Sequence, residues 1–337
     1  MRIKARQLEI LPKIEKEKNE KKSRIFTAII LTVTVFLTVG FYLASSFKEK
    51  KFAFSFKKTA ANLNLPLPAR NLFPPADKTQ DLKEKLDDWY LSKSGNLSGK
   101  WAFTVCLLKD NFCWGKNEKE TMTAASLIKL PIVGAFYKEL EVGSKKWDEV
   151  YTLKSADIRS GAGSLQYKRP ETKITYREVI SLALQQSDNT AASILRKVLG
   201  DQKIEKFITE VGMTKTSLKE NLTSAEDIAL FFKKLYQGEI LKKEYQEEMI
   251  TNLTNTIFET RIPAGLPEGV RVAHKVGTEV GVVSDAGIIM LPENPFVLTI
   301  LSEEVNSQTA EEIFPKLTGE IYWLVSESLT GNDDGSN

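Results

Sequence analysis

The chain has 337 residues, 42% of them hydrophobic, with 47 lysines and arginines against 44 aspartates and glutamates. A net charge of +3 describes a mixed, solvated exterior rather than a nucleic-acid surface. Two cysteines exclude a disulfide scaffold and a cysteine-rich zinc site, and the lone histidine, His274, leaves a histidine-based metal site without ligands.

Residues 1–24 are rich in lysine and glutamate with little apolar periodicity, and read as a solvated basic tail. Ile25 to Phe47 then runs without a charge. At a rise of about 1.5 Å per residue this stretch crosses a bilayer core, and it reads as a retained transmembrane anchor. Lys21, Lys22 and Arg24 precede it and Lys48, Lys50 and Lys51 follow, a modest asymmetry that favours a cytoplasmic N-terminus. Ala44-Ser45-Ser46 offers small residues for cleavage, but the region before the span is long for a secretory signal. No cysteine directly follows for a lipoprotein.

Residues 48–76 form a linker, first basic and then punctuated by proline up to Pro74-Pro75. Asp77 suits the N-cap of a helix that carries Leu82, Leu86, Trp89 and Tyr90 on one face. Trp101 to Leu108 has the composition of a strand, with Phe112 to Gly115 as its hairpin partner around Lys109-Asp110. That register sets Cys106 opposite Cys113, which leaves two alternatives: a cross-strand disulfide in an oxidising exterior, or two half-buried thiols. Helical patterns follow at about Ala125–Leu140, 176–186, 190–199, 202–210, 224–236 and 242–252, and Thr175 with Glu178 has the spacing of a capping box. Val270–Val276, Val282–Leu291 and Phe296–Leu301 read as three successive strands, before an amphipathic helix over 309–328 and a polar tail at 330–337. Strands at both ends with helices between predict an α+β domain whose sheet is closed by strands distant in sequence. There is no internal repeat.

Three short motifs could carry chemistry. With one histidine in the chain, a hydrolytic centre is expected to take lysine or carboxylate as its base. Ser126 and Lys129 are an i, i+3 pair near a helix start, so the amine reaches the hydroxyl. The same four-residue pattern also occurs at Ser45–Lys48 and Ser55–Lys58, so it says little alone. Ser187-Asp188-Asn189 falls between two helical segments, where it could equally cap the second. Lys275-Val276-Gly277-Thr278 ends a predicted strand, where Gly277 would let a substrate backbone approach and Lys275 could instead simply protect an edge.

The order and spacing of the three are more specific. A serine-x-x-lysine on a helix, a Ser-Asp-Asn sixty-one positions later and a strand-borne Lys-x-Gly resemble the class A β-lactamases and penicillin-binding proteins. Gly163-Ser164-Leu165-Gln166, Leu182–Ala192, Val211-Gly212-Met213, Thr223–Ala229 and Val272–Gly287 are also similar to class A sequence, so the resemblance covers about 77–329. It implies the serine β-lactamase/transpeptidase-like fold: an antiparallel sheet from both chain ends packed with helices, plus an all-helical lobe. It places that domain outside a bacterial cytoplasmic membrane, on a single-pass anchor at 25–47. It implies catalytic Ser126, Lys129, Ser187 and Lys275: nucleophile, general base, proton relay and positive field. Asn189, Gly277 and Thr278 would bind substrate, Asn189 by orienting a side-chain amide, and the N–H groups of Ser126 and Thr278 would form an oxyanion hole. Asp285 would be structural. The expected substrate is a β-lactam or D-alanyl peptide, with peptidoglycan as a further partner and no metal or cofactor.

Two departures qualify this expectation. Class A enzymes free their acyl-enzyme with a glutamate on a long omega loop, but only ten residues separate Met213 from Ser224 here. Glu220-Asn221 echoes the missing acid and amide, yet so short a connection is not expected to aim Glu220 at the acyl carbonyl. Val276 also stands where the family usually carries a threonine or serine that binds the substrate carboxylate. Thr278, Arg261 or Arg271 would have to compensate. Three readings follow: a β-lactamase-like hydrolase acylated at Ser126 and slow to deacylate, a peptidoglycan D,D-peptidase or endopeptidase, and a non-catalytic wall-binding protein.

Overall fold

The computed structural model describes residues 78–330. The basic tail, the apolar span, the linker, Asp77 and the tail from 331 lie outside those residues. Among the described residues no helix is long and apolar enough to cross a membrane.

Five strands form one antiparallel sheet. They are β1 (Lys100–Leu107), β2 (Cys113–Lys116), β7 (Arg271–Glu279), β8 (Val282–Met290) and β9 (Phe296–Glu303), in the spatial order β2-β1-β9-β8-β7. The first and last strands of the domain thus meet at the centre, with Ala102 opposite Leu301 and Val105 opposite Leu298. Alternate side chains of β1 serve different cores: Ala102 and Cys106 face the helical lobe, while Phe103, Val105 and Leu107 face the other side. Burial on both faces explains why these strands read as near-continuous apolar runs rather than as strict alternation.

On the second face lie α1 (Lys78–Ser94) and the last helix, α8 (Ser307–Thr330). Leu82, Leu86 and Trp89 of α1 pack with Phe314, Ile321 and Val325 of α8, and Trp89 Nε1 donates to Glu320 at 2.8 Å. Tyr90 is only half-buried, with its ring edge-on to Phe103. The first face carries the lobe of α2 (Lys129–Glu141), α3 (Tyr176–Gln185), α4 (Asn189–Leu199), α5 (Asp201–Val211), α6 (Ala225–Gln237) and α7 (Lys243–Thr254). Thr175 and Glu178 exchange hydrogen bonds as a capping box at the start of α3. Two ladders of two or three residues, β3 (Met122–Thr123) with β6 (Leu222–Thr223) and β4 (Val150–Thr152) with β5 (Lys173–Thr175), were too short to show a period in the sequence.

Cys106 and Cys113 face each other in the β1–β2 register and are joined by a disulfide. The bond closes a short loop, so the Cys106→Ala/Cys113→Ala variant is expected to lose about 2 kcal/mol in denaturant unfolding. Without reductant the native protein should take up no iodoacetamide at these sulfurs.

Candidate active site

The segment 125–140 is not one helix. Ala125–Ile128 makes a tight 3₁₀ turn and the α-helix begins at Lys129. The turn starts at Ala125, whose φ of +47° is in the left-handed region that a side chain enters at a cost of about 1–3 kcal/mol. This turn sets Ser126 at the partly exposed front of the helix while Lys129 is carried inward and buried. As the second residue of a helical turn, Ser126 has a backbone N–H without an intrahelical acceptor.

Lys129 Nζ lies 3.0 Å from Ser126 Oγ, 3.1 Å from Ser187 Oγ and 2.7 Å from Asn189 Oδ1, and it also donates to the Ser187 carbonyl. Burial brings its pKa down from the ordinary lysine value to about 8, against the opposing pull of the Asp188 carboxylate. An amine so placed, once neutral, can donate its two protons to the Ser187 carbonyl and Asn189. Its lone pair then faces the Ser126 hydroxyl.

Ser187 sits in the three-residue gap between α3 and α4, again with a positive φ of +53°. Its hydroxyl is held between two lysines, because Lys275 Nζ donates to it at 2.8 Å and to the Val276 carbonyl at 3.1 Å. Lys275 is fully buried, and desolvation together with the Lys129 charge pushes its pKa well below the usual lysine range. Asp188 caps α4 through the Ala191 N–H and accepts the Leu165 N–H at 2.7 Å, which ties the Gly163–Gln166 stretch to the site. A Cβ on Gly163 would come within 2.2 Å of the Asp188 carboxyl, at a φ of +98°. Gly163→Ala is therefore expected to lower unfolding free energy by more than about 2 kcal/mol, read as a loss of melting temperature. Asn189 has both ends of its amide engaged: Oδ1 accepts from Lys129 and Nδ2 donates to Ser160 O at 2.9 Å.

Lys275, Gly277 and Thr278 lie on β7, the outermost strand, which runs three residues past its expected end. Gly277 does more here than admit a substrate. A Cβ on it would meet Ala124 O at 3.0 Å and Leu127 Cγ at 3.2 Å, so the glycine lets the strand close onto the Ser126 turn. Of the two arginines considered as compensation for Val276, Arg271 is on the exposed first position of β7. Arg261 is buried beside the site: it donates to the Gly277 and Ser284 carbonyls and to Thr278 Oγ1 at 2.6 Å, and it pairs with Glu311. With that acceptor role filled, the Thr278 hydroxyl proton is free to point outward. Val276 itself is buried.

The shortened connection between α5 and α6 presents Asn221 rather than Glu220. Glu220 is exposed, and its side chain bonds to none of the site residues. Asn221 accepts the Ala124 N–H through its carbonyl, and its Nδ2 donates to Glu279 at 3.0 Å, bridging the loop to the end of β7. Nothing in the sequence marked Glu279 beforehand, because an acid next to a strand end is ordinary. Asp285 and His274 form a buried pair on β7 and β8, with Asp285 also accepting the Ile262 N–H. Asp285 is thus a structural anchor, and the single histidine stands apart from Ser126.

A family model described as the β-lactamase enzyme family matches residues 81–324. The chain belongs to the β-lactamase enzyme family. Among curated members, Beta-lactamase 3 of Bacillus cereus is 29% identical over 196 residues, 53% of this chain and 61% of that protein. A β-lactamase of Bacillus licheniformis is 23% identical over 280 residues, 78% of this chain and 89% of its own length. Of solved structures, PBP-A superposes with a TM-score of 0.66 at 26% identity, covering 77% of this chain and 99% of PBP-A. A leucine-to-glutamate mutant of PBP-A, an acyl-enzyme complex with penicillin G, matches with a TM-score of 0.65. The fold is that of the serine β-lactamases and penicillin-binding proteins, and the family assignment makes the chain a serine hydrolase of β-lactamase type.

Proposed function

We propose that this chain is a membrane-anchored serine hydrolase that forms an acyl-enzyme at Ser126 with β-lactams and releases it slowly. The observation that carries the reading is the 3.0 Å approach of Lys129, an amine lowered to about pKa 8, to the Ser126 hydroxyl. Lys129 takes the Ser126 proton as Oγ attacks the lactam carbonyl, and the N–H groups of Ser126 and Thr278 receive the developing oxyanion. Each such donor is worth about 2.7–4 kcal/mol of barrier. The C–N bond then breaks, and Ser187 passes a proton to the leaving nitrogen, replenished from the Lys129 and Lys275 amines on either side of it. Lys275 and the Thr278 hydroxyl backed by Arg261 would receive the substrate carboxylate in place of the missing hydroxyl at Val276.

Slow release follows from the loop. A hydrolytic water needs a base within hydrogen-bond reach, and the exposed Glu220 has no contact with the site. The apolar span at 25–47 supplies the anchor, with the catalytic domain outside the membrane.

A second reading is a peptidoglycan D,D-peptidase acting on D-alanyl peptides. It is favoured by the ten-residue connection between Met213 and Ser224, which is too short to form a long omega loop. A non-catalytic wall-binding protein would have no need for a desolvated lysine beside Ser126. The test is intact-mass measurement of the full-length protein with penicillin G, followed over time. A rapidly formed adduct that persists supports the proposal, and failure to form one at high concentration overturns it. Release of D-alanine from a muropeptide would favour the peptidase.

A further inference from the structure

A cavity of about 430 Å³ lies between the β1–β2 edge of the sheet and α6, and none of the residues of the active site lines it. Its volume is that of a small-molecule site. One wall is apolar, made by Ala229, Leu230 and the Cys106–Cys113 disulfide.

The polar groups are of one kind. Glu118 and Glu226 both line the cavity, and neither carboxylate has a hydrogen-bond or ion-pair partner among the described residues. Their backbones meet, because the Glu226 N–H donates to the Glu118 carbonyl at 2.8 Å. The Glu118 side chain lies over Gly115, the residue paired with Thr104 in the β1–β2 ladder. Asp227 also lines the cavity, but its carboxylate is occupied by the Lys215 N–H and the Thr216 hydroxyl. The single lysine of the lining, Lys233, donates to Asn111 at 3.1 Å.

Thr104 supplies an independent sign of a ligand. It is 4% exposed, it lines the cavity, and its Oγ1 has no hydrogen-bond partner. A buried hydroxyl left unpaired costs about 1–3 kcal/mol, a penalty that a bound polar group would relieve. A glutamate in the first turn of α6 is favoured by the helix dipole, which accounts for Glu226 but not for Glu118 or the orphan hydroxyl.

We propose that this cavity binds a small organic ammonium. The cation sits between Glu118 and Glu226, an apolar body lies against Leu230 and the Cys106–Cys113 disulfide, and a polar group reaches Thr104. The ligand is held by charge at one end and by apolar contact at the other, as in other small-molecule sites with few polar anchors.

Benzylammonium, benzyl alcohol and benzoate, titrated by ligand-observed NMR into the full-length protein, test this. Benzylammonium should bind at least about tenfold tighter than benzyl alcohol, and benzoate more weakly than either, because only the cation gains charge-assisted hydrogen bonds. Glu118→Gln/Glu226→Gln should remove that advantage, Leu230→Trp should fill the space and abolish binding, and the near-isosteric Thr104→Val should weaken it with unfolding behaviour preserved. Equal affinity for all three probes, no binding at millimolar concentration, or an affinity unchanged in the double glutamine variant would overturn the proposal. None of these variants touches the Ser126 site, so penicillin acylation reports separately whether the proposed function stands.

Discussion

Ser126→Ala is expected to form no covalent adduct with penicillin G under conditions in which the wild type is fully acylated. Alanine removes the partly exposed hydroxyl 3.0 Å from the Lys129 amine, and Ser187, the other hydroxyl within its reach, is 2% exposed and already bridged by two lysines. Loss of a serine nucleophile lowers turnover by a factor on the order of 10⁶. The measurement is intact mass over time, with circular dichroism to show that the variant is folded. An adduct that survives in Ser126→Ala would move the nucleophile elsewhere. The same substitution should leave non-covalent binding of penicillin largely intact, since Lys275, Thr278 and Arg261 are untouched.

The acylation rate of the wild type should rise about tenfold per pH unit below pH 8 and level off above it. Only the neutral amine of Lys129 can accept the Ser126 proton, and with a pKa of about 8 roughly a tenth of it is neutral at pH 7. Stopped-flow acylation by a chromogenic cephalosporin reads this directly. Lys129→Arg, whose guanidinium stays charged, should lose about 10²–10⁴ in rate at every pH and show no such rise. A pH-independent wild-type rate would exclude Lys129 as the base. Stability should move with the same group. The folded-state pKa lies below the value of 10.5 for a solvated lysine, so the buried ammonium costs stability at low pH. That cost, about 3 kcal/mol, is fully present below pH 8 and declines as pH rises through 10.5. Lys275, shifted in the same direction by burial, contributes with the same sign.

How much of this was legible beforehand depended on the range of the forces involved. Apart from the Ala125–Leu140 segment, the expected helices agree with those observed to within two residues, because their apolar faces and the Thr175–Glu178 cap act over a turn or two. The Cys106–Cys113 register followed from the same local logic, since a hairpin fixes which residues oppose. The Ala125–Leu140 segment was read as one helix because a 3₁₀ turn has nearly the same apolar spacing as an α-helix. The left-handed Ala125 that starts it is held by contacts with the loop and with β7, which no local pattern encodes.

The order of Ser126-x-x-Lys129, Ser187-Asp188-Asn189 and Lys275-x-Gly277 pointed to the family, because residue identity and spacing are carried by the chain itself. What only the tertiary structure decided is how those groups act on one another. Lys129 owes its lowered pKa to burial among elements that are distant in the chain. The Ser187 hydroxyl is bridged only because Lys129 and Lys275 arrive from separate elements. Gly277 proved to be a contact with the nucleophile turn, and Arg261, sixteen residues before it, came to back Thr278 where Val276 has no hydroxyl. Desolvation and hydrogen-bond geometry depend on the whole fold around a group, whereas residue identity and spacing belong to the chain alone.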